Sequence, residues 1–425
     1  MRSPLSALPT SVLLRSLLVA TVSSKPYLLR PSLSLLSFLS KSDQRRLLNV
    51  DRNIILHTIF KWTFYKQFCA GETGRETRAT VQRLKDMGFH GTILTYAKET
   101  VFDHATNTQQ GLGIAREPGE KDVHANQGDP CPHIEAWRTG TLKTVELLGE
   151  TDSVAVKLTG AGPAVTDAFA AGQMPPRQMM DALEEICTRC QQRGARLLVD
   201  AESQHFQRGI ARVTVALMRQ YNRNGSAVVY NTYQAYLKRT PTDLACHLAA
   251  AEQEGFTLGL KLVRGAYMAS DDRSLIHDTK HDTDTAFDAI AQGALRQEIG
   301  EFGAPAGRPF PSVYLFLASH NQASLLAAHH LHQQRVRAHL PTVPVGFAQL
   351  HGMSDAVSLR LLQLKGPEGS PHVYKCSTWG GLGECMAYLL RRAMENRDAV
   401  SRTEDELTAL RVEIRRRLKS LVTFY

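Results

Sequence analysis

From residue 91 onward the chain alternates short apolar runs with longer stretches of helical period. The runs Gly91–Tyr96, Ser153–Thr159, Arg196–Ala201, Ala227–Tyr233, Leu258–Val263, Tyr314–Ser319, Val345–Leu350 and Val373–Cys376 read as strands of a core-embedded sheet. Amphipathic stretches at 177–193, 209–223, 241–255, 282–300, 321–337 and 354–364 lie between most of them. Such alternation predicts a parallel sheet, and eight strands is the count of a (β/α)8 barrel. A doubly wound sheet would carry a glycine-rich first turn. Gly160-Ala-Gly162 lacks the third glycine, and Gly111-Leu-Gly113 has Arg116 where it should stand. A nucleotide cofactor would therefore have to be bound by a barrel.

Other stretches fall outside this rhythm. Residues 43–90 read as helices, with Gly71 and Gly74 marking a break, and residues 401–425 as a helical tail. The polar segment 103–135, with Gly, Pro, Asn and Gln throughout, reads as an irregular insertion after the first strand. Residues 1–42 are rich in Ser and Leu, carry Arg2, Arg15, Lys25, Arg30 and Lys41, and hold no acid. That composition suits a mitochondrial transit peptide, removed before folding matters. A secretory signal fits less well, because Arg15 splits its apolar run. The expected organisation is thus 1–42 import segment, 43–90 helical segment, 91–400 barrel and 401–425 tail.

Composition narrows the function classes. The net charge of +9 is partly the import segment's, and no basic stripe interleaved with aromatics points to nucleic acid. Seven scattered cysteines argue for reduced thiols. Cys187 and Cys190 have no second pair to complete a zinc site, and the His277/His281 and His329/His330/His332 sets lack the spacing of a metal motif.

In a barrel, chemistry sits where strands end. In order, those ends offer Lys157, Asp200 with Glu202, Tyr233 with Gln234, Lys261 with Arg264, Ser319-His320-Asn321, Gln349 to Met353 and Lys375 to Trp379. Lys261 stands out, since a lysine inside an apolar strand must reach a partner or a ligand. Gly265, Ala266 and Tyr267 follow at once, letting a flat ligand approach the backbone. Beyond the last strand, Tyr388, Arg391, Arg392 and Glu395 share one helix face.

Several strings resemble consecutive motifs of the proline dehydrogenases. They are Leu-Val-Asp-Ala-Glu (198–202), Tyr-Asn-Thr-Tyr-Gln-Ala-Tyr (230–236) and Lys-Leu-Val-Arg-Gly-Ala-Tyr (261–267). Ala-Ser-His-Asn (318–321), Gln-Leu-His-Gly-Met (349–353) and Tyr-Leu-Leu-Arg-Arg-Ala-Met-Glu-Asn (388–396) continue the family order. The resemblance implies a distorted (β/α)8 TIM-like barrel with N-terminal helices and a C-terminal helix over its mouth. It also implies an FAD enzyme of the mitochondrial type, peripheral to the matrix face of the inner membrane. Such an enzyme oxidises L-proline to Δ1-pyrroline-5-carboxylate and passes the electrons to a membrane quinone.

Residue by residue, the resemblance places Lys261 beside flavin N5, where the bacterial form has arginine, and Gln234 against the isoalloxazine ring. Arg264, Gly265, Ala266 and Tyr267 would follow the cofactor outward, Lys280 would meet its phosphates, and His320 and Asn321 its ribityl or adenine side. Asp200 and Lys157 would line the substrate cavity. Tyr388, Arg391, Arg392 and Glu395 would hold the substrate, with the two guanidinium forks on its carboxylate. Three positions depart from the family pattern: Cys376 stands for a usual tyrosine, Thr378 for a common proline and Met268 for the bacterial tryptophan. The base for the substrate nitrogen is open between water and Asp200. A hydroxyproline-preferring relative is the near alternative. Lysines at strand ends also suit a Schiff-base aldolase, which needs a lysine of depressed pKa, and a non-catalytic barrel scaffold is the remaining class.

Overall fold

The eight predicted apolar runs form one closed barrel of parallel strands. The computed structural model describes residues 3–41, 49–96, 99–103, 108–112, 130–268, 270–366, 369–398 and 400–422. In chain order the strands are β1 (Gly91–Tyr96), β2 (Glu99–Asp103), β3 (Thr108–Leu112), β4 (Ser153–Val156), β5 (Arg196–Val199), β6 (Val229–Gln234), β7 (Leu258–Val263), β8 (Val313–Ala318), β9 (Val345–Leu350) and β10 (His372–Trp379). The barrel order is β1-β10-β9-β8-β7-β6-β5-β4, while β2 and β3 pair separately as an antiparallel hairpin. Register sets Thr232 beside Lys261 and Lys261 beside Phe316. Strand alternation then puts Lys261 on the face opposite Leu260 and Leu262, which are fully buried.

Helices between strands follow the predicted stretches, with ends fixed by local chemistry. The helix Lys280–Arg296 opens on a capping box between Thr279 and Asp282. Asn321 caps Gln322–Arg337 by accepting from the Ser324 N–H at 3.2 Å. Gly255, at φ +68°, ends Thr240–Glu254 in the left-handed conformation.

The expectation of an irregular insertion at 103–135 is corrected. Its described part contains β3, paired to β2, and a helix, Pro132–Val145, that begins with proline in its first turn. Residues 113–129 of that segment lie outside the described residues. A second unforeseen helix, Pro163–Ala170, follows the Leu158–Ala161 turn.

Two compact units make up the chain, and neither is continuous in sequence. One comprises residues 90–348 and 365–374; the other comprises residues 1–89, 349–364 and 375–425. The second unit has its own apolar core around Tyr65, Phe68, Leu382, Cys385 and Leu389. Residues 3–41, read above as standing apart from the fold, belong to this unit as α1 (Thr10–Ser23) and α2 (Pro26–Lys41). Leu36 and Leu39 join its core, and Leu13 is fully buried. Gln67 donates to Ser16 Oγ at 3.0 Å, and the Arg417 guanidinium donates to the Leu8 carbonyl at 2.7 Å. A leucine–serine period that suits an import helix is also the period of a helix with one face packed on protein.

Gly259 shares its face of β7 with Lys261, and a Cβ there would stand 2.2 Å from the Val229 carbonyl oxygen. Gly259→Ala should therefore cost about 1–3 kcal/mol or more, by overpacking against backbone that cannot rotate away. A lowered urea midpoint with unchanged m-value is the expected result.

Candidate active site

Three strand ends of the barrel converge on one carboxylate. Lys261 of β7 donates to Asp200 Oδ1 at 2.6 Å, and Lys157, directly after β4, donates to Asp200 Oδ2 at 3.2 Å. Asp200 follows β5, and its N–H is tied to the Val156 carbonyl at 3.0 Å. Burial alone would raise the Asp200 pKa, but the two ammonium groups overcome it and hold the carboxyl at about 2. Burial would strip the Lys157 proton, yet Tyr267 and the carboxylates of Asp200 and Glu202 raise its pKa instead. Tyr267 is buried and hydrogen-bonded with Lys157, and its own pKa is raised by that burial.

Glu202 fixes this arrangement from behind. Its carboxylate accepts from the Leu158 N–H at 2.8 Å, the Thr159 N–H at 3.2 Å and the Thr159 hydroxyl. Those donors form the turn that follows Lys157, so Glu202 sets where that lysine leaves its strand. Burial pushes the Glu202 carboxyl up to about 7 despite Lys157 and the Thr159 donors. The Gln234 side chain donates to the Glu202 carbonyl at 3.3 Å and so joins the same group.

Farther along the barrel rim, Arg264 is held on several sides. Its Nε donates to Asp284 Oδ1 at 2.9 Å, its Nη2 to Ser324 Oγ at 2.9 Å and its Nη1 to the Ser319 hydroxyl. The guanidinium also lies 4.3 Å from the Phe287 ring centroid. Lys280 pairs with the other Asp284 oxygen, and Asn321 reaches Asp284 at 3.5 Å. His320 lies beside Asn321 in the bend after β8. Gly265 packs against the Tyr236 ring, where a Cβ would approach to 2.4 Å, while Ala266 is exposed. Met268 is likewise exposed.

In the other unit, the helix Leu382–Asp398 carries the remaining candidates. Arg392 pairs with Glu395 at 2.6 Å and lies 5.0 Å from the Tyr388 ring centroid. Burial, then the neighbouring Arg392, lowers the Arg391 pKa to about 9. Tyr388 donates to the Phe68 carbonyl at 3.5 Å. Cys376 is half-buried on β10 of this unit, and Thr378 is buried.

The candidates thus form three groups: Lys157, Asp200, Gln234, Lys261 and Tyr267; Arg264, Lys280 and Asn321 with His320 alongside; and Tyr388, Arg391, Arg392 and Glu395. Sequence reading assigned no role to Glu202, Asp284, Ser319 or Ser324. For Glu202 the Asp-Ala-Glu string was a signal, and for Asp284 its i+4 spacing from Lys280. Among the described residues no cluster of His, Cys, Asp or Glu could hold a metal. The donor set does fit a polyanionic cofactor. Buried Lys261 and half-buried Lys157 share the single carboxylate of Asp200, and Arg264 and Lys280 share that of Asp284. Each group keeps a cationic excess that a phosphate or an anionic ring would neutralise.

A parallel (β/α)8 barrel with buried cations at its strand ends defines the chain as a barrel enzyme. A family model described as proline dehydrogenase matches residues 77–405, and the chain belongs to that family. It is 29% identical to a probable mitochondrial proline dehydrogenase of Schizosaccharomyces pombe, over 95% of this chain and 88% of that one. It is also 29% identical to a hydroxyproline dehydrogenase of Bos taurus, over 85% of this chain and 82% of the other. Among solved structures, proline utilization A from Bdellovibrio bacteriovorus, inactivated by N-propargylglycine, superposes with a TM-score of 0.66 at 15% identity. The match covers 89% of this chain but 38% of that longer protein, and it supports the barrel fold.

Glu202 has a pH signature. Its folded pKa lies above the unfolded value of 4.5, so the native state binds the extra proton and stability falls as pH rises from 4.5 to about 7. The loss should approach about 3 kcal/mol, at roughly 1.4 kcal/mol per pKa unit. Glu202→Gln should flatten that slope in denaturant titrations across pH 4.5–7.

Proposed function

We propose that this proline dehydrogenase is an FAD-dependent enzyme of the mitochondrial matrix that converts L-proline to Δ1-pyrroline-5-carboxylate and delivers the electrons to a quinone of the inner membrane. The observation that carries the reading is the largely buried Lys157–Asp200–Lys261 group, gathered from β4, β5 and β7 of the barrel. The chemistry FAD supplies when bound is acceptance of a hydride from the substrate carbon next to nitrogen. Lys261 contributes a fixed cation where negative charge grows during that transfer, held in place by Asp200 so that nothing need reorganise. Arg264, Lys280, His320 and Asn321 would hold the cofactor's polar parts, with Gln234, Gly265, Ala266 and Tyr267 along its ring and stem. Arg391 and Arg392 would take the substrate carboxylate, with Glu395 holding one fork and Tyr388 packing on the pyrrolidine ring.

The proton of the substrate nitrogen needs an outlet. A carboxyl held at about 2 by two lysines is a poor base, so Asp200 orients cations and water takes the proton. The Schiff-base aldolase alternative fails on family membership. Cys376, in place of the usual tyrosine, favours a second reading in which 4-hydroxyproline is the preferred substrate, in line with the hydroxyproline dehydrogenases among the relatives.

A visible spectrum of the purified protein tests the main reading. A yellow preparation bleached by L-proline supports it; a colourless one, or colour unaffected by either imino acid, overturns it. Bleaching by 4-hydroxyproline alone would select the second reading. Lys261→Met should retain FAD yet slow flavin reduction strongly, because the lost cation matters more after hydride arrives than before. Arg391→Met or Arg392→Met should raise KM for proline at least about 30-fold with FAD content unchanged, given roughly 2 kcal/mol or more for a broken desolvated charge pair. Cys376→Tyr should keep activity while moving the ratio of proline to hydroxyproline turnover.

A further inference from the structure

The N-terminal helices carry more exposed apolar surface than a water-facing helix needs. In α2, Leu29, Leu36 and Leu39 are buried, as a core-facing stripe should be. A second stripe faces outward: Tyr27 is 71% exposed, Leu35 51% and Phe38 53%, with exposed Pro31 completing the helical spacing. A helix apolar on both faces is normally buried on both. On α1, Leu14 and Leu18 are exposed at i, i+4 while Leu13 and Ala20 are buried. The pattern continues past α2 in α3 (Ile54–Phe60), where Ile55 and Ile59 are exposed, and Trp62 follows one turn later. Scattered single exposed leucines need no explanation, but consecutive helices with such stripes do.

Charge identifies what these stripes meet. No Asp or Glu occurs between residues 3 and 41, whereas Lys25 and Arg30 are exposed beside Tyr27, and Lys66 sits 3.3 Å from the Trp62 ring centroid. Apolar side chains, interfacial aromatics and bordering cations without acids complement a bilayer surface bearing anionic headgroups. A second copy of the chain is a poorer occupant, since a two-fold contact would set Lys25 and Arg30 against the same acid-free surface. Neither helix alone is long and apolar enough to span a membrane; α1 and α2 together reach that length and apolarity, but they meet at 99°. Such a pair suits lying in the headgroup layer.

We propose that α1, α2 and α3 form the surface by which this protein docks on an anionic lipid bilayer, with Leu14, Leu35, Phe38 and Trp62 entering the headgroup layer and Lys25 and Arg30 meeting phosphate. The inference deepens the membrane-quinone reading given above by naming where the protein meets the membrane. It also requires that residues 10–39 stay with the working protein, against the expectation that an import segment ends near residue 42.

Co-sedimentation of the full-length holoenzyme with phosphatidylcholine vesicles, with and without phosphatidylglycerol, tests this. Expected is binding that rises with phosphatidylglycerol and falls with salt, and drops at least tenfold in the Leu35→Glu/Phe38→Glu protein. That variant should keep wild-type proline oxidation with a water-soluble dye as acceptor. Lys25→Glu/Arg30→Glu should weaken binding to the anionic vesicles without altering the apolar stripe, which guards against a folding defect in the first variant. Vesicle binding unchanged in both variants, or absent in the parent, overturns the proposal. So does a self-association in sedimentation velocity that Leu35→Glu/Phe38→Glu abolishes, or a mature protein isolated from mitochondria that begins beyond residue 39. Vesicle binding without proline oxidation by any acceptor would leave the docking surface standing and remove the function proposed above.

Discussion

One carboxylate between two lysines governs the electrostatics of this barrel. Asp200 takes Lys261 on one oxygen and Lys157 on the other, so one side chain positions a cation from β7 and a cation from just after β4. Without Asp200 the two ammonium groups would repel across a low-dielectric interior. With it, one positive charge remains in excess, fixed in direction. Glu202 extends the same logic by holding the turn from which Lys157 leaves its strand. Buried ion pairs contribute little net stability on average. On the proposed reading their use is geometric, since a field that must act on developing charge has to be aimed before the reaction begins.

The same economy appears at the rim. Arg264 cannot swing, because Asp284, Ser319 and Ser324 each hold a different nitrogen and Phe287 covers a face. A guanidinium with so many fixed partners loses little further freedom when a ligand arrives. Asn321 adds to this by spending its side-chain oxygen on the cap of the next helix while its amide turns to Asp284. Helix capping and the bracing of the Arg264–Asp284 pair therefore rest on one residue.

Much of this was legible from periodicity alone. Gly91–Tyr96, Leu258–Val263 and Val345–Leu350 fall where their apolar runs begin and end, because buried parallel strands show no competing pattern. Lys261 announced itself by interrupting such a run. Asp284 and Ser324 did not, since their partner Arg264 is distant in sequence and an acid or serine on a helix usually faces water. The helix Pro132–Val145 was hidden by the polar segment before it, and α1 and α2 by their composition. An acid-free leucine–serine helix has the same signature whether it is an import segment, a core element or a membrane-facing one, and only burial residue by residue separates these.

The cationic excess at Asp200 also constrains the direction of proton flow. Two ammonium groups in contact with one carboxyl lower its affinity for protons, and the depressed Asp200 carboxyl is the direct expression. On the proposed reading the substrate nitrogen would enter the same field, where its ammonium form is disfavoured and its neutral form, with a free lone pair, is not. The arrangement proposed to accommodate electron density would thus also promote loss of the proton that blocks its departure. Glu202, like Tyr267, resists ionisation, because burial there exceeds the pull of Lys157 and its hydrogen-bond donors. It stands behind the lysine and serves geometry. A strand-end trio read first as a row of polar exceptions in apolar runs is, physically, one device with two consequences.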